Sequence, residues 1–172
     1  MQKLILLFVA FLTINATFGK TDNAAIDYND RIVTEQNKIG NQILAFTEEP
    51  SAASLAGLQK QANASLAVLN EMKPFEKNSE LLNAAKALFQ FYIDVTNNEY
   101  AKVLALLNES SKYSQEELVE RINIYVASIS QKEKEFDTAF SIAQNNFAKK
   151  YGFTLTENKL QEEIDSVKKK NE

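Results

Sequence analysis

Any chemistry in this chain has to be built from carboxylates, amines, hydroxyls and amides, because its 172 residues include no His, no Cys and no Trp. That removes the Ser-His-Asp triad, the Cys nucleophile, the Cys/His zinc cluster, the His-ligated haem and the disulfide framework. Ferritin-like metal sites need Glu-x-x-His on two helices, so that motif is absent as well. Glu116, Glu117 and Glu120 open a helical stretch, where they complement the helix dipole. Glu133 and Glu135 alternate with Lys132 and Lys134, a pattern that reads as a solvated face. There is no Gly-rich phosphate loop and no GxSxG. Ser and Lys are plentiful, but nothing singles out a Ser-Lys pair. The residue types imply no catalytic group, no metal and no cofactor, and hence a non-enzymatic protein.

Polar residues on apolar stripes are the remaining candidates for specific work. Asn29 and Gln36 interrupt the stripe of the first helical segment, Lys132 that of the fourth, and Glu99 that of the third. Pairing the segments as hairpins brings Gln36, Asn63, Phe89 and Lys132 to one height, and Asn29, Asn70 and Phe140 to another. Asn29, Gln36 and Lys132 are therefore a candidate polar core layer. It is either the floor of a small polar pocket or a set of buried groups that fixes helix register. A Lys or Gln at a seam edge also has the reach to lean out to water.

The elements that position these residues are helices. Only 4 Gly and 2 Pro punctuate the chain, too few for a many-turned sheet. Segment one runs from about Ala24 to Thr47 and stops before Pro50. Segment two runs from about Ala52 to Met72 and stops at Pro74, since Pro lacks the N–H and restricts the residue before it. Segment three spans about Glu80 to Leu107 behind an N-cap at Asn78 or Ser79. Segment four starts at a Ser114/Glu117 capping box and ends at Gly152, a residue suited to a left-handed C′ position. Short connections between long helices predict an all-α, antiparallel up-down-up-down four-helix bundle over 20–153. Leu155, Leu160, Ile164 and Val167 give 154–172 the pattern of a short amphipathic or frayed tail.

Segment three is apolar over an arc of about 220°, roughly twice the width of a one-faced helix. Contact with two neighbouring helices, plus cover from the tail, explains this. So does a homodimer or partner surface around Phe91, Ile93 and Leu104.

Residues 1–19 have the form of a signal peptide. Lys3 precedes an apolar run from Leu4 to Ile14, too short to span a bilayer, and Thr17 and Gly19 suit a cleavage site before Lys20. Loss of Lys3 leaves 18 basic against 23 acidic residues, which opposes binding to nucleic acid or an anionic membrane. The mature chain then carries no transmembrane segment.

Three stretches carry a resemblance. They are Asp27-Tyr28-Asn29-Asp30-Arg31-Ile32-Val33 with Gln36, Phe91-Tyr92, and Phe147-Ala148-Lys149-Lys150-Tyr151-Gly152-Phe153. Together they are similar to a family of small exported helical proteins of Bacteroidetes and spirochaetes, the leptospiral-type surface proteins. Some relatives are lipoproteins, and this chain lacks the Cys for that anchor. The resemblance implies an envelope location (periplasm, cell surface or outside the cell) and supplies no catalytic residues. The expectation is an exported interaction or structural module with a protein partner or a second copy. A carrier holding a small apolar ligand between the helices is the alternative.

Overall fold

The computed structural model describes residues 14–17 and 23–157, and the described chain is mostly helical. Its elements are β1 (Ile14–Thr17), α1 (Asn23–Glu48), α2 (Ala52–Glu71), α3 (Glu80–Asn97), α4 (Glu99–Asn108), α5 (Gln115–Tyr151) and β2 (Thr154–Glu157). Most of the proposed signal peptide, including its run up to Thr13 and the Gly19–Lys20 bond, lies outside the described residues. So do Leu160, Ile164 and Val167 of the tail. The start of that tail is β2, which pairs antiparallel with β1 from Ile14↔Glu157 to Thr17↔Thr154.

Local chemistry sets the helix ends. Ser51 caps α2 through a capping box with Ser54. At α5 the Ser114 hydroxyl accepts from the Glu117 N–H, but Glu117 does not complete the expected box. Its carboxylate instead takes Arg121 at 2.9 Å one turn on. Gly152 ends α5 with φ 75°, a conformation glycine adopts without a Cβ clash.

The single helix expected over 80–107 is broken at Asn98. Two side chains there compete for backbone groups. Thr96 Oγ1 donates to the Ile93 carbonyl and Asn98 Nδ2 to the Asp94 carbonyl, and such bonds disrupt a helix ladder.

Cross-helix contacts define the packing. Along α1 and α2, Tyr28 meets Lys73, Glu35 meets Ser65, and Gln42 approaches Gly57, so the two run in opposite senses. Asn146 with Glu80, Phe136 with Phe91, and Lys132 with Glu99 show the same for α5 against α3 and α4. One continuous core results, with Phe46, Phe89, Phe140 and Phe147 fully buried. Among the described residues no helix is long and apolar enough to cross a membrane.

The wide apolar arc of segment three is accounted for within the chain. α3 lies between α2 and α5. Phe91, Ile93 and Leu104 are 4%, 9% and 7% exposed. Ile93 and Leu104 are thus packed into the chain's own core rather than presented on an open face, and Phe91 keeps only a small exposed edge.

Candidate functional site

Beside the break at Asn98 lies a surface groove of about 420 Å³. Its floor is Phe91 and Phe136, stacked with ring centroids 5.1 Å apart and planes 22° apart. Val95 and Asn98 continue the wall, and Asp94, Glu99, Lys102 and Lys132 bring charge of both signs to it. Lys132 Nζ donates to Glu99 Oε1 at 2.7 Å. The Lys132 side chain is 55% exposed, and that of Glu99 is 11% exposed. Burial pushes the Glu99 carboxyl up, but Lys132, its own backbone N–H and the charge of Lys102 outweigh that and hold it below its ordinary value. The groove thus has an aromatic floor and an ion pair at its edge.

Behind the groove, inside the core, sits a second polar group. α5 continues its stripe through Ile122, Val126, Ile129, Glu133, Phe136 and Phe140, in steps of four and three. Glu133, assigned from sequence to a solvated face, is therefore buried, and Lys132 points outward instead. One turn further along α5, Asp137 keeps its Oδ1 out of water and without a hydrogen-bond partner. Burial pushes its carboxyl up to about 6. From α3 the buried Tyr92 phenol comes close to these acids. Burial above all, then the Glu133 and Asp137 charges, push that phenol well above its ordinary value. Tyr100 of α4 is raised by burial and then by the Glu133 charge.

The candidate layer of Asn29, Gln36 and Lys132 separates into three places. Asn29 is fully buried and its Oδ1 accepts from Gln144 Nε2 at 2.9 Å, joining α1 to α5. Gln36 is also fully buried, yet neither of its amide atoms has a partner. Lys132 belongs to the groove with Glu99. Asn63 and Asn70, placed in the same layers from sequence, are exposed. The polar group that α2 buries is Ser65, which donates to Glu35 Oε2 at 2.8 Å. Gln144, Glu133 and Asp137 went unrecognised in the sequence. For Glu133 the signal was present, since the four-three stepping from Ile122 lands on it.

Two stretches of the family resemblance meet at one end of the molecule. Tyr28 stacks on Phe147 at 5.7 Å, Phe75 meets both, and Tyr151 and Phe153 close on Phe147 at 4.6 and 6.0 Å. Those rings tie the start of α1, the α2–α3 loop and the end of α5 together, a packing role. Phe91 and Tyr92 lie instead beside the groove and the buried acids.

Among the described residues no group of three or more carboxylates is placed to hold a metal ion. What the groove presents chemically is an aromatic surface edged by a paired carboxylate and amine. Comparison with protein-family models, with characterised proteins and with solved structures finds no match to this chain.

Proposed function

We propose that this protein is an exported, non-enzymatic interaction or structural module of a bacterial envelope. In this reading the four helical stretches, α1, α2, α3 with α4, and α5, form an up-down-up-down bundle, released from its signal peptide before Lys20. The observation that carries the proposal is the filled centre. Phe89 and Tyr92, on the core-facing side of α3, are 0% and 1% exposed, and Phe136 is stacked on Phe91. Bundle carriers hold their cargo between the helices, and here aromatic side chains occupy that space. The face open to a protein partner is the groove of Phe91, Phe136, Glu99 and Lys132. The apolar run after Lys3 and the resemblance of the Tyr28 and Phe147 stretches support the envelope location.

The same groove favours the carrier as second reading, with a small amphipathic molecule seated outside the core. Production of the full chain with a C-terminal tag in a Gram-negative host separates these readings. Export predicts a periplasmic product whose mass begins at Lys20, and a module predicts a native mass spectrum free of small ligands. A stoichiometric co-purified molecule, displaced by Phe136→Asp, would establish the carrier. Retention of the intact precursor in the cytoplasm would refute export.

A further inference from the structure

The longest of the described helices, α5, carries two large apolar side chains into solvent. Ile124 is 65% exposed and Ile142 is 56% exposed. They stand 18 residues apart, five whole turns, so both rise from one line along the helix, about 27 Å from each other. A single exposed apolar residue needs no explanation, but these two share a face whose other residues fall into a pattern. Between them, within about 60° of that line, the strip is small or uncharged except at Glu135. Beyond them, Glu116 and Glu117 stand in the first turn of α5, and Lys149 and Lys150 in its last. The groove residue Lys132 lies about 80° round the helix from the line, which makes this a separate surface.

The strip is self-complementary about its middle. When two α5 helices run antiparallel across a two-fold axis at the height of residue 133, residues equally far on either side of 133 come level. Ile124 then meets the partner's Ile142, and the contact is repeated at the other end. Ala127 and Ser128 come level with the partner's Ala139 and the partner's Thr138, small residues that let the helices approach. Gln131 comes level with the partner's Glu135, an amide donor beside a carboxylate. Glu117 comes level with the partner's Lys149, so each acidic helix start lies on a basic helix end. A parallel pairing sets those acids on acids and those lysines on lysines. A crossing of about 20°, common for packed helices, keeps the two in contact over this length. We propose that this face of α5 is a self-association surface, on which a second copy of the chain docks antiparallel through Ile124 and Ile142.

Withdrawal of the isoleucines from water drives the contact. The Glu117–Lys149 pairs are at the surface and add little strength, but they fix the direction, because like charges oppose the parallel arrangement. Arg121 already holds Glu117 at 2.9 Å, so the partner's Lys149 extends an existing pair. Two isoleucine contacts on a largely polar strip make a modest interface, with a dissociation constant of roughly micromolar order. This inference is independent of the exported role and of the groove.

Sedimentation equilibrium tests it on the full chain, purified in whichever form its host delivers. The expected result is a monomer–dimer equilibrium at micromolar concentration. Ile124→Asp and Ile142→Lys each raise the dissociation constant at least about tenfold, with far-UV circular dichroism unchanged because both positions are exposed. The double variant Ile124→Asp/Ile142→Lys recovers most of that loss, since each new carboxylate meets a new amine across the axis. The chain has no Cys, so introduced thiols give a second reading. An equal mixture of Ile124→Cys and Ile142→Cys chains is expected to form the mixed disulfide in preference to either like pair. A chain that stays monomeric throughout overturns the proposal, as does a dimer that neither single variant weakens. A double variant no stronger than the singles, or Ile124→Cys chains that cross-link mainly to one another, overturns the antiparallel docking.

Discussion

Gln36 is a fully buried amide with no partner for either polar atom. Leaving such groups unpaired costs about 1–3 kcal/mol, whereas an apolar replacement of similar size recovers part of that cost. Gln36→Leu is therefore expected to stabilise the chain by about 1–2 kcal/mol, read as a raised urea midpoint at unchanged slope. Destabilisation would mean that the amide has a partner in solution. That Asn29 and Gln36 interrupt a core stripe was legible in the sequence, because both fall in step with Ile32, Ile39 and Ile43. Their partners were not. The Asn29–Gln144 bond joins residues 115 apart, and which residues meet at that distance depends on the relative heights of α1 and α5, a property of the packed molecule. Lys132 and Glu133 show how fine the margin is. Both fit an apolar stripe at a step of three or four from Ile129, and only burial decides that Glu133 goes in and Lys132 goes out.

At the scale of elements, the boundaries set by local chemistry were readable, and those set by side-chain competition were not. Pro50, Pro74, Ser114 and Gly152 announce their helix ends in the sequence, and the ends fall within three residues of them. The break at Asn98 carries no Gly or Pro and arises from Thr96 and Asn98 bonding to carbonyls of the preceding turn. The α2–α3 loop hides a second case. Glu76 and Lys77 have φ of 46° and 66°, and the Asn78 N–H donates to the Phe75 carbonyl at 2.7 Å. Two consecutive positive φ values inside such a bond are the signature of a type I′ turn, which prefers Asn-Gly. A non-glycine residue in this region costs about 1 kcal/mol. The turn is retained because it swings Phe75 into the rings of Tyr28, Phe147 and Tyr151. Lys77→Gly is expected to raise the melting temperature by about 2–4 °C, through about 1 kcal/mol of relieved strain. A drop in calorimetry would show that Lys77 contributes something other than its backbone conformation.

For the whole molecule, the open matter is how much of its stability depends on the chain before Lys20. β1 and β2 form four paired positions, and a two-stranded ribbon of that size is marginal alone in water. β2 has its own attachment to the helices. Phe153 is 7% exposed and stacks edge-on against Phe147, its N–H donates to the Ala148 carbonyl, and Leu155 packs against the core. None of these contacts involves β1. The rest of the core is made by α1 to α5, whose fully buried residues include Ile32, Ile39, Leu58, Phe89 and Phe147. A chain beginning at Lys20 is thus expected to keep the helical content and the single cooperative transition of one beginning at Ile14. Its melting temperature should lie within about 4 °C, the equivalent of roughly 1 kcal/mol for a domain of this size. Calorimetry on the two chains checks this. A fall of more than about 10 °C, or a transition that broadens and splits, would make β1 an integral part of the fold. Cleavage before Lys20 would then remove a structural element, and the N-terminal segment would have to be retained for the domain to hold together.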